Sequence, residues 1–218
     1  MHGYLANKQS FNYQTEYFRK YYKVFAPDLK GFGENTGMEY PYSLDDYCQE
    51  VSEYIAKNGI YNCDVIAHSF GGRIAIKLAS INSGIFNKMV LTGCAGLKPK
   101  KTIKKTFRKF AFNTLKHFYK KEKLERFYSS DYLALDSVMK QSFIKIVNEH
   151  LDDRLKYIKN KAFIVFGEND GETPLYMAKK LHKKIADSKL LIIKNAGHFA
   201  FIDNPNIFNT EVREFLLS

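Results

Sequence analysis

No apolar run in this chain approaches the roughly 20 residues that a membrane-spanning helix requires. The opening residues, MHGYLANKQSF, lack the basic-then-apolar order of a secretory signal region. Cysteine is scarce. Cys48, Cys63 and Cys94 have neither metal-ligand spacing nor an even count, which argues against a zinc site and a disulfide framework. They read as small residues of a protein kept in the reducing cytoplasm. Repeats and low-complexity tracts are lacking too, so solenoid and linker architectures fall away.

Positive charge is what the chain has in excess. The formal net charge is +11 over 218 residues, and it is unevenly spread. From Lys98 to Arg126 there are twelve Lys or Arg against two Glu, a balance of +10. Such a stretch can face nucleic acid, an anionic membrane surface, an acidic substrate or simply water. A solvated surface accounts for most of it. No nucleic-acid module accompanies the charge, so a nucleic-acid partner is not expected. Peripheral contact with a membrane, or an anionic substrate, stays open.

A hydrophobic content of 45% in a chain of this length predicts one domain with a substantial core. Apolar runs alternate with amphipathic segments, the mark of parallel βα units. Candidate strands are Val24–Ala26, Val65–Ala67, Met89–Thr92, Phe163–Phe166 and Leu190–Ile193. Ser43 reads as the N-cap of a helix with Leu44, Tyr47, Val51 and Ile55 on one face, closed by Asn58-Gly59. A helix follows Ser69. Thr173-Pro174 reads as the N-cap and first turn of another, and a last helix is predicted from about Pro205 to Leu217.

Residues 98–160 break the alternation with helical patterns alone, among them the stripe Ile103, Phe107, Phe110, Thr114 and Phe118. They are expected to form a helical lid inserted into a core made of residues 1–97 and 161–218. The lid's Phe107, Phe110, Phe112, Phe118 and Tyr119 suggest an apolar acyl pocket, although packing against the main sheet is the commoner role for such residues.

The stretch DVIAHSFGG places Ser69 where a strand hands over to a helix. A serine hydroxyl needs a base, an orienting acid and a place for an oxyanion before it can act as a nucleophile. A sharp strand-to-helix turn exposes the oxygen, provided the residues two before and two after are small, here Ala67 and Gly71. The helix start also aims backbone N–H groups at developing negative charge.

With these residues the chain resembles the α/β-hydrolase superfamily, whose nucleophile elbow is G-x-S-x-G. Ala67 stands where the first glycine is usual; His68, Gly71 and Gly72 complete the elbow. The resemblance implies an acid after a later strand, supplied by Asp170 in FIVFGENDGETP, with Glu168 and Glu172 as alternatives. It also implies a histidine after the last strand, supplied by His198 in KNAGHFAF. The order Ser69, Asp170, His198 is that of the family. Of the other histidines, His68 is expected to support the elbow, while His2, His117, His150 and His182 lack the context of a base.

The opening His2-Gly3 resembles the family's H-G segment, which makes the backbone N–H groups of Tyr4 and Phe70 the implied oxyanion donors. VFAPDLKGFGENTG resembles the P-D-x-x-G-x-G stretch, so Asp28, Gly31 and Gly33 are expected to shape a loop near the site. The implied fold is a mostly parallel sheet flanked by helices.

Members of this family carry two or three strands ahead of the H-G segment. On that resemblance the natural gene product is expected to continue upstream of Met1, with the strand leading into H-G lying between Val24–Ala26 and Val65–Ala67.

The implied activity is hydrolysis of a carboxylic ester or related acyl bond in a small-molecule substrate, with no cofactor and no metal. Carbon–carbon bond and thioester hydrolysis are the alternatives within the fold, and a catalytically silent binding protein is a third. An aspartate-nucleophile dehalogenase is disfavoured by the serine.

Overall fold

The computed structural model describes residues 1–100 and 135–218. The proposed lid stripe and most of the basic stretch therefore lie outside the described residues. Four strands form one sheet: β1 (Cys63–His68), β2 (Phe86–Thr92), β3 (Lys161–Gly167) and β4 (Ser188–Ile193). Their order is β1-β2-β3-β4 and every pairing is parallel, with Ala67 opposite Leu91, Leu91 opposite Ile164 and Ile164 opposite Leu190.

The helices among these residues are α1 (Asn12–Phe18), α2 (Leu44–Lys57), α3 (Phe70–Ile81), α4 (Ser137–Asn148), α5 (Leu175–Lys184), α6 (Ala200–Asp203) and α7 (Pro205–Leu217). None of the helices among these residues is long and apolar enough to cross a membrane.

The period of two along each strand divides the core into two layers. Met89, Leu91, Ile164 and Phe166 point to the face covered by α2, α3 and α5, where Leu44, Tyr47, Ile74 and Leu181 are buried. Val90, Phe163 and Val165 point to the opposite face, against Phe11 and Phe18 near the start of the chain and Phe208, Val212 and Phe215 of α7. A sheet covered on both faces accounts for strands that read as continuous apolar runs.

Local signals place the helix starts. Ser43 caps α2 through a reciprocal pair with Asp46, the two side chains accepting each other's backbone N–H. Asn204 caps α7 by accepting from Ile207 N. α5 departs from expectation: Pro174 occupies its cap position without a side-chain bond, because the Thr173 hydroxyl is committed to Asp170.

The expected strand over Val24–Ala26 does not form. A groove of about 410 Å³ separates Val24, Phe25 and Ala26 from Cys63, Asp64, Val65 and Ile66, so this segment has no ladder to join. The first residues of the chain reach the outer edge of β1. The Met1 amino group donates to Ile66 O at 2.6 Å, and His68 N donates to Met1 O at 3.0 Å.

Three buried side chains tie distant segments to this frame. His2 donates from Nδ1 to Gly3 O (2.8 Å) and accepts at Nε2 from Leu29 N (3.0 Å), so both ring nitrogens are used in the neutral form. Burial lowers its pKa to about 4. Arg73 of α3 donates to Ile146 O (2.9 Å) and Glu149 O (2.7 Å), closing the C-terminal end of α4. Lys77, one turn further on, binds Asp45 and Glu149 at 2.7 and 2.6 Å. These contacts moor the described end of the 98–160 insertion to the helix that follows Ser69.

Arg73→Ala removes the donor from two helix-end carbonyls and should lower unfolding free energy by about 2 kcal/mol, seen as a reduced denaturant midpoint. An unchanged midpoint would mean that water replaces the guanidinium. His2 gives a prediction in pH. Its folded pKa lies below the unfolded value, so between pH 6 and 5 the unfolded state binds close to one more proton at this site. Its contribution to stability is complete above the unfolded pKa and is lost as pH falls. His2→Gln should therefore flatten the stability–pH slope in that window by about 1 kcal/mol per pH unit. Equal slopes in the two proteins would contradict the assignment of a neutral, buried His2.

Candidate active site

Ser69 stands on the turn from β1 to α3 with φ 50° and ψ −106°, in the left-handed region where a non-glycine residue is strained. The surrounding backbone holds it there. Ser69 N donates to Thr92 O at the end of β2 (3.1 Å), and Ala95 N donates to Ser69 O (3.2 Å).

The small neighbours have separate reasons. A Cβ on Gly71 would lie 2.5 Å from Met1 O and 2.8 Å from His2 O, so only glycine lets α3 approach the first residues. That approach is used, since Gly71 N donates to His2 O at 3.1 Å. A Cβ on Gly72 would lie 2.3 Å from Cys94 Sγ. Ala67 is fully buried in the sheet.

Phe70 opens α3, so its N–H is among the helix-start donors that have no acceptor within the helix. Tyr4 stands beside it, with ring centroids 5.4 Å apart. The Tyr4 ring also packs on Phe32 (4.8 Å) and Phe143 of α4 (5.2 Å), and its hydroxyl donates to Met139 O at 2.9 Å. The two residues matched to the oxyanion motif are thus brought together.

Asp28 anchors the following loop. Its carboxylate accepts from Lys8 N (2.6 Å) and Glu34 N (3.0 Å), and at Gly33 (φ 56°) a Cβ would lie 2.4 Å from that carboxyl group.

Asp170, in the turn after β3, is buried. Oδ1 accepts from Glu172 N (2.9 Å) and Thr173 N (2.8 Å), while Oδ2 accepts from the Thr173 hydroxyl (2.7 Å) and His198 Nδ1 (3.0 Å). Burial pushes its pKa up. The hydrogen bonds from His198 and from Thr173, and attraction to His198, outweigh that and leave it below the ordinary aspartate value. Glu168 instead accepts from Asn195 N at 3.2 Å, and Glu172 contributes its backbone N–H. Of the three acids considered, Asp170 is the one hydrogen-bonded to His198.

His198 follows β4. Because Nδ1–H points to Asp170, the neutral ring leaves its lone pair on Nε2. Gly93, at the end of β2, gives the histidine room: its φ is 49° and a Cβ there would lie 2.9 Å from His198 O. His68 approaches from beneath, with Nε2 3.1 Å from His198 O.

Ser69, Asp170 and His198 accordingly occupy turns at the C-terminal ends of β1, β3 and β4, the edge where parallel sheets place ligand chemistry. The bond from Thr173 to Asp170 has no signal in the sequence, because a Thr-Pro pair ahead of a helix reads first as a cap. Among the described residues no group of three His, Cys, Asp or Glu could hold a metal ion.

Comparison with known proteins bears on the family. The family model described as the alpha/beta hydrolase family matches residues 1–211. An AB hydrolase superfamily protein of Bacillus subtilis, YisY, is 25% identical over 99% of this chain and 89% of its own length. A 2-hydroxy-6-oxo-6-phenylhexa-2,4-dienoate hydrolase of Burkholderia cepacia is 25% identical over 89% of this chain and 77% of its own. Among solved structures, an esterase from Exiguobacterium antarcticum superposes with a TM-score of 0.78 at 23% identity, covering 100% of this chain and 90% of that one. The chain belongs to the alpha/beta hydrolase family.

Proposed function

We propose that the protein is a serine hydrolase that cleaves carboxylic esters of small molecules through an acyl-enzyme. The observation that carries this reading is the hydrogen-bonded pair Asp170–His198, at 3.0 Å, on the same sheet edge as a serine held at φ 50°.

On this reading His198 Nε2 takes the Ser69 proton as Oγ attacks the ester carbonyl. Asp170 keeps the imidazole oriented and stabilises the imidazolium. The N–H groups of Tyr4 and Phe70 hold the oxyanion, and each is expected to contribute about 3 kcal/mol to the transition state. The imidazolium returns its proton to the leaving alcohol. Water then attacks the acyl-enzyme with the same histidine as base, giving the acid and free Ser69. Residues 98–160 act as the lid that selects the acyl group, with Phe143 and Met139 of α4 beside Tyr4 at its base.

A second reading is carbon–carbon bond hydrolysis, favoured by the likeness to the Burkholderia enzyme, whose name gives a 2-hydroxy-6-oxohexa-2,4-dienoate substrate. It uses the same three residues. Turnover of such a dienoate in preference to p-nitrophenyl esters would establish it over the ester reading.

Labelling with a fluorophosphonate probe, followed by peptide mapping, tests the nucleophile. Modification at Ser69 that is lost in Ser69→Ala is expected, whereas a folded protein that takes no label would overturn the hydrolase reading. Thr173→Val removes the hydroxyl donor to Asp170 and should reduce kcat about tenfold with little change in KM, the cost of one hydrogen bond to a charged group. An unchanged kcat would show that the two backbone N–H groups hold Asp170 unaided.

A further inference from the structure

His68 is a buried titratable group in contact with the site that the acyl-transfer scheme leaves unused. Its side chain is 1% exposed, and it lies between the pieces that the scheme needs to hold still. On one side, Nε2 is 3.1 Å from His198 O. A carbonyl only accepts, so Nε2 carries the hydrogen and Nδ1 bears a lone pair. The His68 and His198 rings are 4.6 Å apart, and Phe199 and Phe201 close round the same imidazole at 4.8 and 4.9 Å.

On the other side lies the segment that carries Tyr4. A Cβ built on Gly3 would sit 2.8 Å from His68 Nδ1 and 3.4 Å from Ser69 Cβ, so Gly3 is in direct contact with the ring. Nδ1 has no hydrogen-bond partner among the described residues.

We propose that His68 is a positioning residue: a neutral imidazole that fixes the height of His198 by holding its main-chain carbonyl, and seats the Gly3-Tyr4 oxyanion segment against its opposite edge. The inference rests on the serine-hydrolase reading above.

An apolar ring would fill this space without leaving a buried acceptor, Nδ1, unpaired. What an apolar ring lacks is the Nε2–H donor to His198. That donor holds the backbone of the base and leaves its Nδ1 to Asp170 and its Nε2 to Ser69. Neutrality matters as well. His198 gains a proton during acylation, and a second cation in ring contact would oppose it. Burial, the larger cause, and the neighbouring His198 keep the His68 pKa near 3, so it remains uncharged when the base protonates.

The test compares three variants in p-nitrophenyl acetate turnover, with thermal melts run alongside. His68→Phe and His68→Leu keep an apolar body and lose the donor. His68→Gln places an amide N–H near the position of Nε2–H. The expected result is a kcat about tenfold lower in the apolar variants with KM little changed, and recovery of most of that loss in His68→Gln. A purely packing role would not produce that rescue.

Equal kcat in His68→Phe and the unmodified protein would overturn the proposal. So would losses in all three that track their melting temperatures, or the failure of all three to fold. An unmodified protein that takes neither the fluorophosphonate nor the ester would instead remove the underlying hydrolase reading.

Discussion

The close approach of α3 to the first residues of the chain is the constraint on which the rest of this architecture depends. It exists because Gly71 has no side chain: any Cβ there would collide with the carbonyls of Met1 and His2. The same approach fixes two other features. It lets Gly71 N bond to His2 O, which brings Tyr4 alongside Phe70, and it leaves Ser69 in a turn whose φ of 50° costs on the order of 1–3 kcal/mol for a residue with a side chain. Strain of that size persists only when several bonds over-determine it. Here Thr92 O, Ala95 N and the Met1–His2 backbone supply them, so strand β2 and the chain's opening segment hold the serine in place as much as its own turn does.

A parallel sheet turns this local device into a site. Its crossovers send every strand in the same direction, so the turns after β1, β3 and β4 meet at one edge although Ser69 stands more than a hundred positions before Asp170 and His198. Close approach recurs at that edge. Gly93 lies under His198, and at Gly167 a Cβ would sit 2.1 Å from Gly197 O. The glycines are therefore concentrated where backbones cross and side chains of the site need the space between them.

Much of this was legible in the sequence, and the reasons differ by feature. Short apolar runs place β1 to β4, and period-3.6 patterns place the helices α2, α3 and α7. The Ser69 segment is legible from the small residues that its turn demands, whereas Asp170 and His198 are singled out through the resemblance to the family. Val24–Ala26 misleads because an apolar triplet reads as a buried strand, whereas here Val24 is exposed and Phe25 and Ala26 are half-buried along a groove. Thr173 was misread because its hydroxyl can serve either a helix start or a nearby carboxylate, and only the fold shows which is closer. The links from Arg73 to Ile146 and from His2 to Leu29 span 73 and 27 residues with no local pattern, so nothing in sequence order points to them.

The buried cations among the described residues serve the fold. The buried cations are each committed elsewhere: Arg73 to the end of α4, Lys77 to Asp45 and Glu149, and Lys88 to the carbonyls of Phe215, Leu216 and Ser218 at the end of α7. A cation at a helix C-terminus satisfies carbonyls that would otherwise lack donors, and there it is a structural element. Around His198 the arrangement is the opposite. One anion, Asp170, is held by four donors, and the nearest imidazole, His68, is kept neutral by burial. On the proposed hydrolase reading, a base that acquires a proton and then gives it back is served by one fixed negative partner and by a neighbouring ring that stays neutral.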